Sequence, residues 1–471
     1  MPNPSLPVTS DELDACLQVL QKLVDHRTLF PREHRFSGLI AKIYRESRRN
    51  EKQHEKKTAK TLDRERQSQT VMVQIQRDAL PIPAAALPPP GYVPERLSEP
   101  ETCYICKTDF TELHFFYHLL CPRCAAFNFE MRHLHADLRG RVALVTGGRV
   151  KIGHQMVLRL LRDGARVIVT TRFPYAAAQR LHMEPDARDW LHRVQIYGLD
   201  LRNLPAVEAF AAHLEASETH LDIIIHNAAQ TIRRPPGFYK ELAEQEIHPA
   251  LSIPVEAQAL VKQETAMPLI KALAAGAAEL PGGPELLPVS QDILPVDRLA
   301  DHEERADSRN MNSWLLRLDQ VSAPEMLEVQ LVNTVAPFLL NGRLRHLLKR
   351  SPFARRFIVN VSAMEGQFSR HKTIFHPHTN MAKASLNMMT RTSGEDYARD
   401  GIYMTSVDTG WITDENPTPK REKGQKERGF FPPLDIMDGM ARIYHPVACG
   451  INEAESPFFG VFLKDYAPCP W

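Results

Sequence analysis

Glycine is sparse in this chain, with 22 residues among 471 against 36 prolines. Proline fixes φ and removes a backbone donor, so its surplus marks extended linkers and insertions. Net charge is nearly absent: 58 Lys and Arg face 57 Asp and Glu. That balance argues against a globally basic nucleic-acid coat and an acidic disordered chain, and makes nucleic acid a poor candidate partner. No run of 18 or more apolar residues occurs, so no membrane-spanning helix is expected. The polar opening MPNPSLPVTSDELD has no signal-peptide core, which points to a reducing, cytoplasmic setting. Cysteine is scarce and uneven. Four of the seven lie between positions 103 and 124, and the others are Cys16, Cys449 and Cys469. A secreted disulfide scaffold would spread its cysteines, whereas a tight group suggests a metal.

Four regions follow from the pattern of residues. Residues 1–79 read as a helical N-terminal region. Thr9 and Glu12 have capping-box spacing, and Leu13, Cys16, Leu17, Leu20, Leu23 and Val24 recur at helical intervals. Cys16 lies on that stripe and is expected to be a buried structural thiol. Residues 45–66 hold nine Lys or Arg and five Asp or Glu, a solvated helix whose alternating signs dilute its field. Residues 80–100 are Pro-rich and predict an extended spacer. Residues 101–136 contain the cysteine group. Residues 137–471 change to alternating strands and helices, with an insertion at about 235–324.

Cys103, Cys106, Cys121 and Cys124 form two CxxC pairs separated by 14 residues. Each pair can turn both thiolates toward one ion, and two pairs complete a tetrahedral zinc site of the ribbon or treble-clef kind. Four thiolates would fill the coordination sphere, so such a zinc would hold structure and do no chemistry. His114 and His118 lie between the pairs as alternative ligands.

Apolar strands are predicted over Val142–Thr146, Arg166–Thr171, Val194–Gly198, Leu221–His226, Phe357–Val361 and Tyr403–Val407. Helices between them imply an α/β fold: a Rossmann-like, doubly wound parallel sheet, preceded by the helical region and the small zinc-binding module. After the first strand, Thr146 to Gly153 form a Gly-containing turn opening a helix, which presents backbone N–H groups to a pyrophosphate. The second strand ends in Arg172, where an acid would hold a ribose 2′-OH. A base there favours a 2′-phosphate, hence NADP, with NAD as the alternative.

In Thr146, Gly147, Gly148, Arg149, Val150, Lys151, Ile152 and Gly153 the chain resembles the short-chain dehydrogenase/reductase family and its TGxxxGxG motif. The resemblance covers about 139–415 without the insertion. It implies adenine contact for Asp200, and Asn227 and Ala228 stand in an NNAG-like segment. It also implies a catalytic helix Asn supporting a water relay for Asn333, a catalytic Ser for Ser362, and the Lys of YxxxK for Lys383. Val407 to Gly410 resembles the turn that precedes nicotinamide contacts. HNAAQTIRRP and TNMAKASLNMMTRT resemble an atypical oxidoreductase-like subgroup, here with the CxxC/CxxC module ahead of it.

Three departures bear on function. Lys151 replaces the middle Gly of the turn. Thr379 replaces the Tyr that serves the family as general acid and base, and an aliphatic hydroxyl is far less acidic than a phenol. Ser362 precedes Lys383 by 21 residues, so a reshaped loop with His371, His376 and His378 is expected. His378 or His376 could take over the proton, or the loop simply packs or binds an anion. Arg233 and Arg234 either clamp an anionic small-molecule substrate or pair with nearby Glu. Two readings result: an NADP(H)-dependent oxidoreductase of carbonyls or alcohols, and a catalytically degenerate NADP(H)-binding scaffold or sensor. The resemblance further implies a homodimer or homotetramer.

Overall fold

The computed structural model describes residues 8–26, 34–78, 88, 91–251, 253–264, 271, 299–300, 304–305, 309–453 and 455–471. The chain falls into two units, Met1–Glu65 and Arg66–Trp471. In the first, helix α1 (Ser10–Asp25) opens with the expected capping box: Thr9 accepts from the Glu12 N–H, and the Glu12 carboxylate accepts from the Thr9 N–H at 2.8 Å. Its apolar stripe is uncovered. No residue of α1 is buried and Cys16 is exposed, which corrects the expectation of a buried thiol. Helical spacing reports which residues share a face, not whether anything lies against it. The charged segment 45–66 lies in one long helix, α2 (His34–Ser68).

The second unit opens with helix α3 (Val71–Asp78) and an antiparallel ribbon of β1 (Arg96–Thr102) and β2 (Asp109–Glu112), followed by helix α4 (Pro122–Met131). Part of the Pro-rich stretch, 80–87 and 89–90, lies outside the described residues, and its last part from Arg96 is strand rather than spacer. The ribbon and α4 share a buried cluster with Ile412, Leu434 and Ile436, so the cysteine-bearing region packs into the same unit as the sheet.

That sheet has nine strands. Its members are β3 (Val142–Thr146), β4 (Arg166–Thr171), β5 (Val194–Gly198), β6 (Ile223–His226), β7 (Val261–Glu264), β8 (Arg356–Ser362), β9 (Ile402–Asp408), β10 (Phe462–Lys464) and β11 (Ala467–Cys469). Their order is β11-β10-β9-β8-β6-β3-β4-β5-β7. All neighbours are parallel except β10 and β11. Runs such as VALVT and IIIH are buried along their whole length because helices cover both faces.

One face packs helix α5 (Lys151–Arg162) and the late helix Ile436–Asn452. The other packs the helices Leu204–Ser217 and Ala336–Arg343. Each fully buried Leu or Ile there contributes about 1.5–3 kcal/mol. The expected insertion supplies short helices, Lys240–Ile247 and Val255–Gln258, and also β7, which extends the sheet beside β5. Most of 265–308 lies outside the described residues. Strand order reverses between β3 and β6, and a crevice opens there at the strand C-termini.

Candidate active site

A cleft of about 780 Å³ occupies that crevice, and its walls come from every strand end named above as a site. The floor is the turn after β3. Gly147 has φ +70°, and a Cβ there would stand 2.9 Å from the Ala228 Cα. Gly153 is closed in by the Gly147 carbonyl and the Asn227 amide, which leaves no room for a side chain. Asn227 donates to the carbonyls of Thr146 and Gly147 at 3.3 and 3.1 Å, and the Ala228 N–H donates to Thr146 Oγ1 at 3.1 Å. These bonds fasten the loop after β6 to the turn. Lys151 has φ +53°, so a lysine holds the left-handed conformation usually left to glycine. Gly148, Arg149 and Ile152 complete the turn, and the last two line the cleft.

At the end of β4, Arg172 lines the cleft, with its guanidinium 4.8 Å from the Tyr239 ring centroid and donating to the Tyr239 hydroxyl at 3.1 Å. Asp200 is buried, and Arg202 donates to its carboxylate at 2.9 Å. Burial alone would raise the Asp200 pKa, but the charge and hydrogen bonds of Arg202, together with the Arg172 charge, outweigh it and the net direction is down. Glu328 gathers Arg202 at 3.3 Å, Gln230 at 2.9 Å and Arg233 at 3.3 Å. Arg233 is thus paired with a glutamate, while Arg234 lines the cleft and stacks over Phe238.

The reactive end is built by β8, the loop after it and helix α6 (Pro377–Arg399). Ser362 ends β8 and donates to Asn387 Oδ1 at 2.7 Å. Lys383 Nζ donates to the Val361 carbonyl at 2.8 Å. Full burial holds the Lys383 pKa down to about 8, and the charge of Glu365 opposes that fall. Thr379 is buried on the cleft wall, one helical turn before Lys383, and its Oγ1 has no hydrogen-bond partner among the described residues. Asn333 sits in a π turn, Leu331–Val335, where its side chain accepts from the Gln230 N–H at 2.7 Å and donates to the Gln230 carbonyl at 3.1 Å.

The model of the family described as short chain dehydrogenase matches residues 141–276. The uncharacterized protein R665 of Acanthamoeba polyphaga mimivirus is 33% identical over 362 residues, 73% of this chain and 71% of its own length. The chain belongs to the short-chain dehydrogenase/reductase family. Dehydrogenase/reductase SDR family member 13 of Homo sapiens is 43% identical over 95 residues, so this chain matches only 24% of that relative's length. A solved structure of an NADPH-bound carbonyl reductase from chicken fatty liver is 18% identical, over 71% of this chain and 100% of that one, with a TM-score of 0.41.

The loop histidines do not line the cleft. His378 is buried and lies 3.8 Å from Glu325 Oε1, and burial with the neighbouring His376 lowers its pKa to about 4. His376 stacks on Trp314 at 3.8 Å and meets the Trp314 carbonyl at 3.1 Å, while His371 is exposed.

Two residues behind the cleft, Asn387 beside Ser362 and Thr390 beside Asn360, and one on its wall carry no motif signal. Asn387 and Thr390 follow Lys383 at i+4 and i+7, a polar helical stripe that spacing alone could have shown. Tyr104, from the first CxxC pair, lines the same cleft, and no local signal places it there.

The four cysteines Cys103, Cys106, Cys121 and Cys124 converge, with all Sγ atoms within 4.8 Å of one another. Cys106 and Cys121 Sγ stand 3.7 Å apart. A tetrahedron with Zn–S bonds of about 2.3 Å has edges of about 3.8 Å, so the group fits a zinc ion. His114 and His118 are otherwise engaged, with the Phe116 N–H at 3.1 Å and the Phe431 carbonyl at 3.2 Å.

No helix among the described residues is long and apolar enough to cross a membrane.

Proposed function

We propose that this protein is an NADP(H)-dependent oxidoreductase acting on a small carbonyl or alcohol substrate. The observation that carries the reading is the meeting, in one cleft, of the Gly147 turn, Arg172, Ser362, Thr379 and Lys383. Thr146, Gly147, Gly148, Arg149, Lys151, Ile152 and Gly153 would cradle the pyrophosphate. Arg172 would take the 2′-phosphate, and Asp200, Asn227 and Ala228 would flank the adenosine half. When bound, the dinucleotide supplies hydride exchange with the substrate carbon.

The chain's own groups do the rest. Ser362 Oγ can turn from Asn387 to hydrogen-bond the reacting oxygen. Lys383 would hold the nicotinamide ribose. The unpartnered Thr379 Oγ1 would hold a water where the family's phenol stands, and that water would carry the proton between substrate oxygen and the Lys383 ammonium. His378 is a second candidate donor only if the loop rearranges. The side chain of Asn333 is committed to Gln230, so its support of a relay would pass through carbonyls freed at the π turn. Arg234 would face an anionic substrate group. A structural zinc on the four cysteines would be served by a reducing compartment such as the cytoplasm. Exposed Phe338, Met381 and Met388, on helices flanking Ser362 in the chain, suit a homodimer or homotetramer contact.

The degenerate-sensor reading is favoured by Thr379 alone. Fluorescence titration with NADPH is expected to show binding under both. Turnover of a carbonyl panel, lost in Ser362→Ala and Lys383→Ala, separates them, and binding without any turnover would favour the sensor.

A further inference from the structure

The segment from Thr409 to Asp435 follows β9, and its first residues, Thr409 to Asn416, line the cleft. Both of its ends are held by the cysteine-bearing region. At the start, the Trp411 N–H donates to the Tyr104 hydroxyl at 2.9 Å. At the far end, Arg132 donates to both Asp435 oxygens at 2.7 and 2.9 Å, and Tyr117 donates to Asp438 at 2.5 Å. Between them, Ile412, Leu434 and Ile436 share one buried cluster with Phe116, Tyr117 and Leu120.

Tyr104 stands between Cys103 and Cys106 in the chain, and its N–H donates to the Leu119 carbonyl at 2.9 Å, two residues before Cys121. Both CxxC turns therefore determine where the phenol sits. The buried cluster around the cysteines is small, and in small metal-binding modules metal binding supplies much of the folding free energy. We propose that the four-cysteine site is a metal-dependent clamp on one wall of the cleft: zinc fixes the two turns, the turns fix Tyr104, and Tyr104 fixes Trp411. Tyr104 is a positioning residue. Where the cleft binds NADP(H), a coupling that rests on the function proposed above, metal and dinucleotide must tighten each other by the same factor.

The test uses the full-length protein. Metal analysis should give about one zinc per chain, and a protein that takes up no added zinc overturns the clamp. Hydrogen exchange read by mass spectrometry should rise at least about fivefold across 409–416 after chelation and stay unchanged in β5. Tyr104→Phe should keep its zinc and still loosen the backbone at Trp411, a result that a purely structural loss of the module would not produce. Unchanged exchange at 409–416 in metal-free protein, or in Tyr104→Phe, overturns the proposal. Zinc affinity, measured by equilibrium competition with a chromogenic chelator, should rise by about fivefold or more with saturating NADPH, the low end of ordinary coupling. Equal zinc affinities, in protein whose fluorescence shows NADPH bound, refute the coupling. Failure of NADPH to bind at all refutes the cofactor reading, and the exchange data then judge the clamp alone.

Discussion

Lys383 Nζ donates to the Val361 carbonyl at 2.8 Å, one residue before Ser362 at the end of β8. The bond ties helix α6 to the strand that carries the serine and brings the lysine's charge to the reactive end of the cleft. Burial lowers its pKa to about 8 from an ordinary 10.5. The ammonium is therefore present below about pH 8 and fades above it. Turnover and NADPH affinity are expected to fall on that alkaline limb, and Lys383→Met should lower kcat/KM at least about 100-fold. A flat profile from pH 7 to 9.5 would remove the lysine from the mechanism. The same shift has a sign for stability. Between about pH 8 and 10.5 the unfolded chain binds more protons than the folded one, so this group favours folding more as pH rises through that window.

Thr379 lies one helical turn before Lys383, and among the described residues its hydroxyl has no hydrogen-bond partner; the proposed function gives it the place of the family's phenol. General acid catalysis contributes about 10²–10⁴-fold, so Thr379→Tyr should raise kcat on a carbonyl substrate by a factor within that span. Thr379→Val should lower it. If Thr379→Val and His378→Ala both leave the rate intact, neither residue handles the proton.

Lys151 holds φ +53°. A left-handed conformation costs a non-glycine residue about 1–2 kcal/mol, and glycine adds about 0.5–1 kcal/mol of chain entropy to the unfolded state. Lys151→Gly is thus expected to raise stability by up to about 1 kcal/mol in denaturant melts, while Lys151→Val should lower it by about 1 kcal/mol or more. Loss of NADPH affinity in Lys151→Gly would show that the lysine also serves the phosphates.

His226 is fully buried in β6, and its Nε2 meets Asn341 Oδ1 at 2.7 Å. Burial lowers its pKa to about 4. A depressed histidine favours folding above its unfolded value and loses that contribution as pH falls from about 6.5 toward 4, on the order of 3 kcal/mol. Equilibrium unfolding from pH 7 to 4 should show this limb, and His226→Asn should make it shallower by about one proton, the rest coming from other buried histidines such as His378.

Much of this fold could be read from residues in order. Parallel strands buried on both faces appear as short runs rich in apolar and β-branched residues, so β3, β4 and β5 fall where VALVT, RVIVTT and VQIYG stand. The glycine turn and the CxxC pairs are equally legible, because a close backbone approach and the convergence of four thiols each demand particular residues at short spacing. β7 was not legible, since four residues inside a Pro- and Ala-rich stretch carry no period that sets them apart.

Chemistry that depends on neighbours along the chain was thus determined locally: a phosphate-ready turn with one lysine in it, a Thr four residues before Lys383, and four thiols in two pairs. What packs against what was decided only in three dimensions. Cys16 lies on an apolar stripe that stays exposed, because a helix face is buried only if another element covers it. His378 follows Pro377 at the site's own helix, yet its ring turns toward Glu325 and away from the cleft. Tyr104 is far from every dehydrogenase motif in sequence, yet it reaches Trp411 because the cysteine-bearing region packs against the segment after β9.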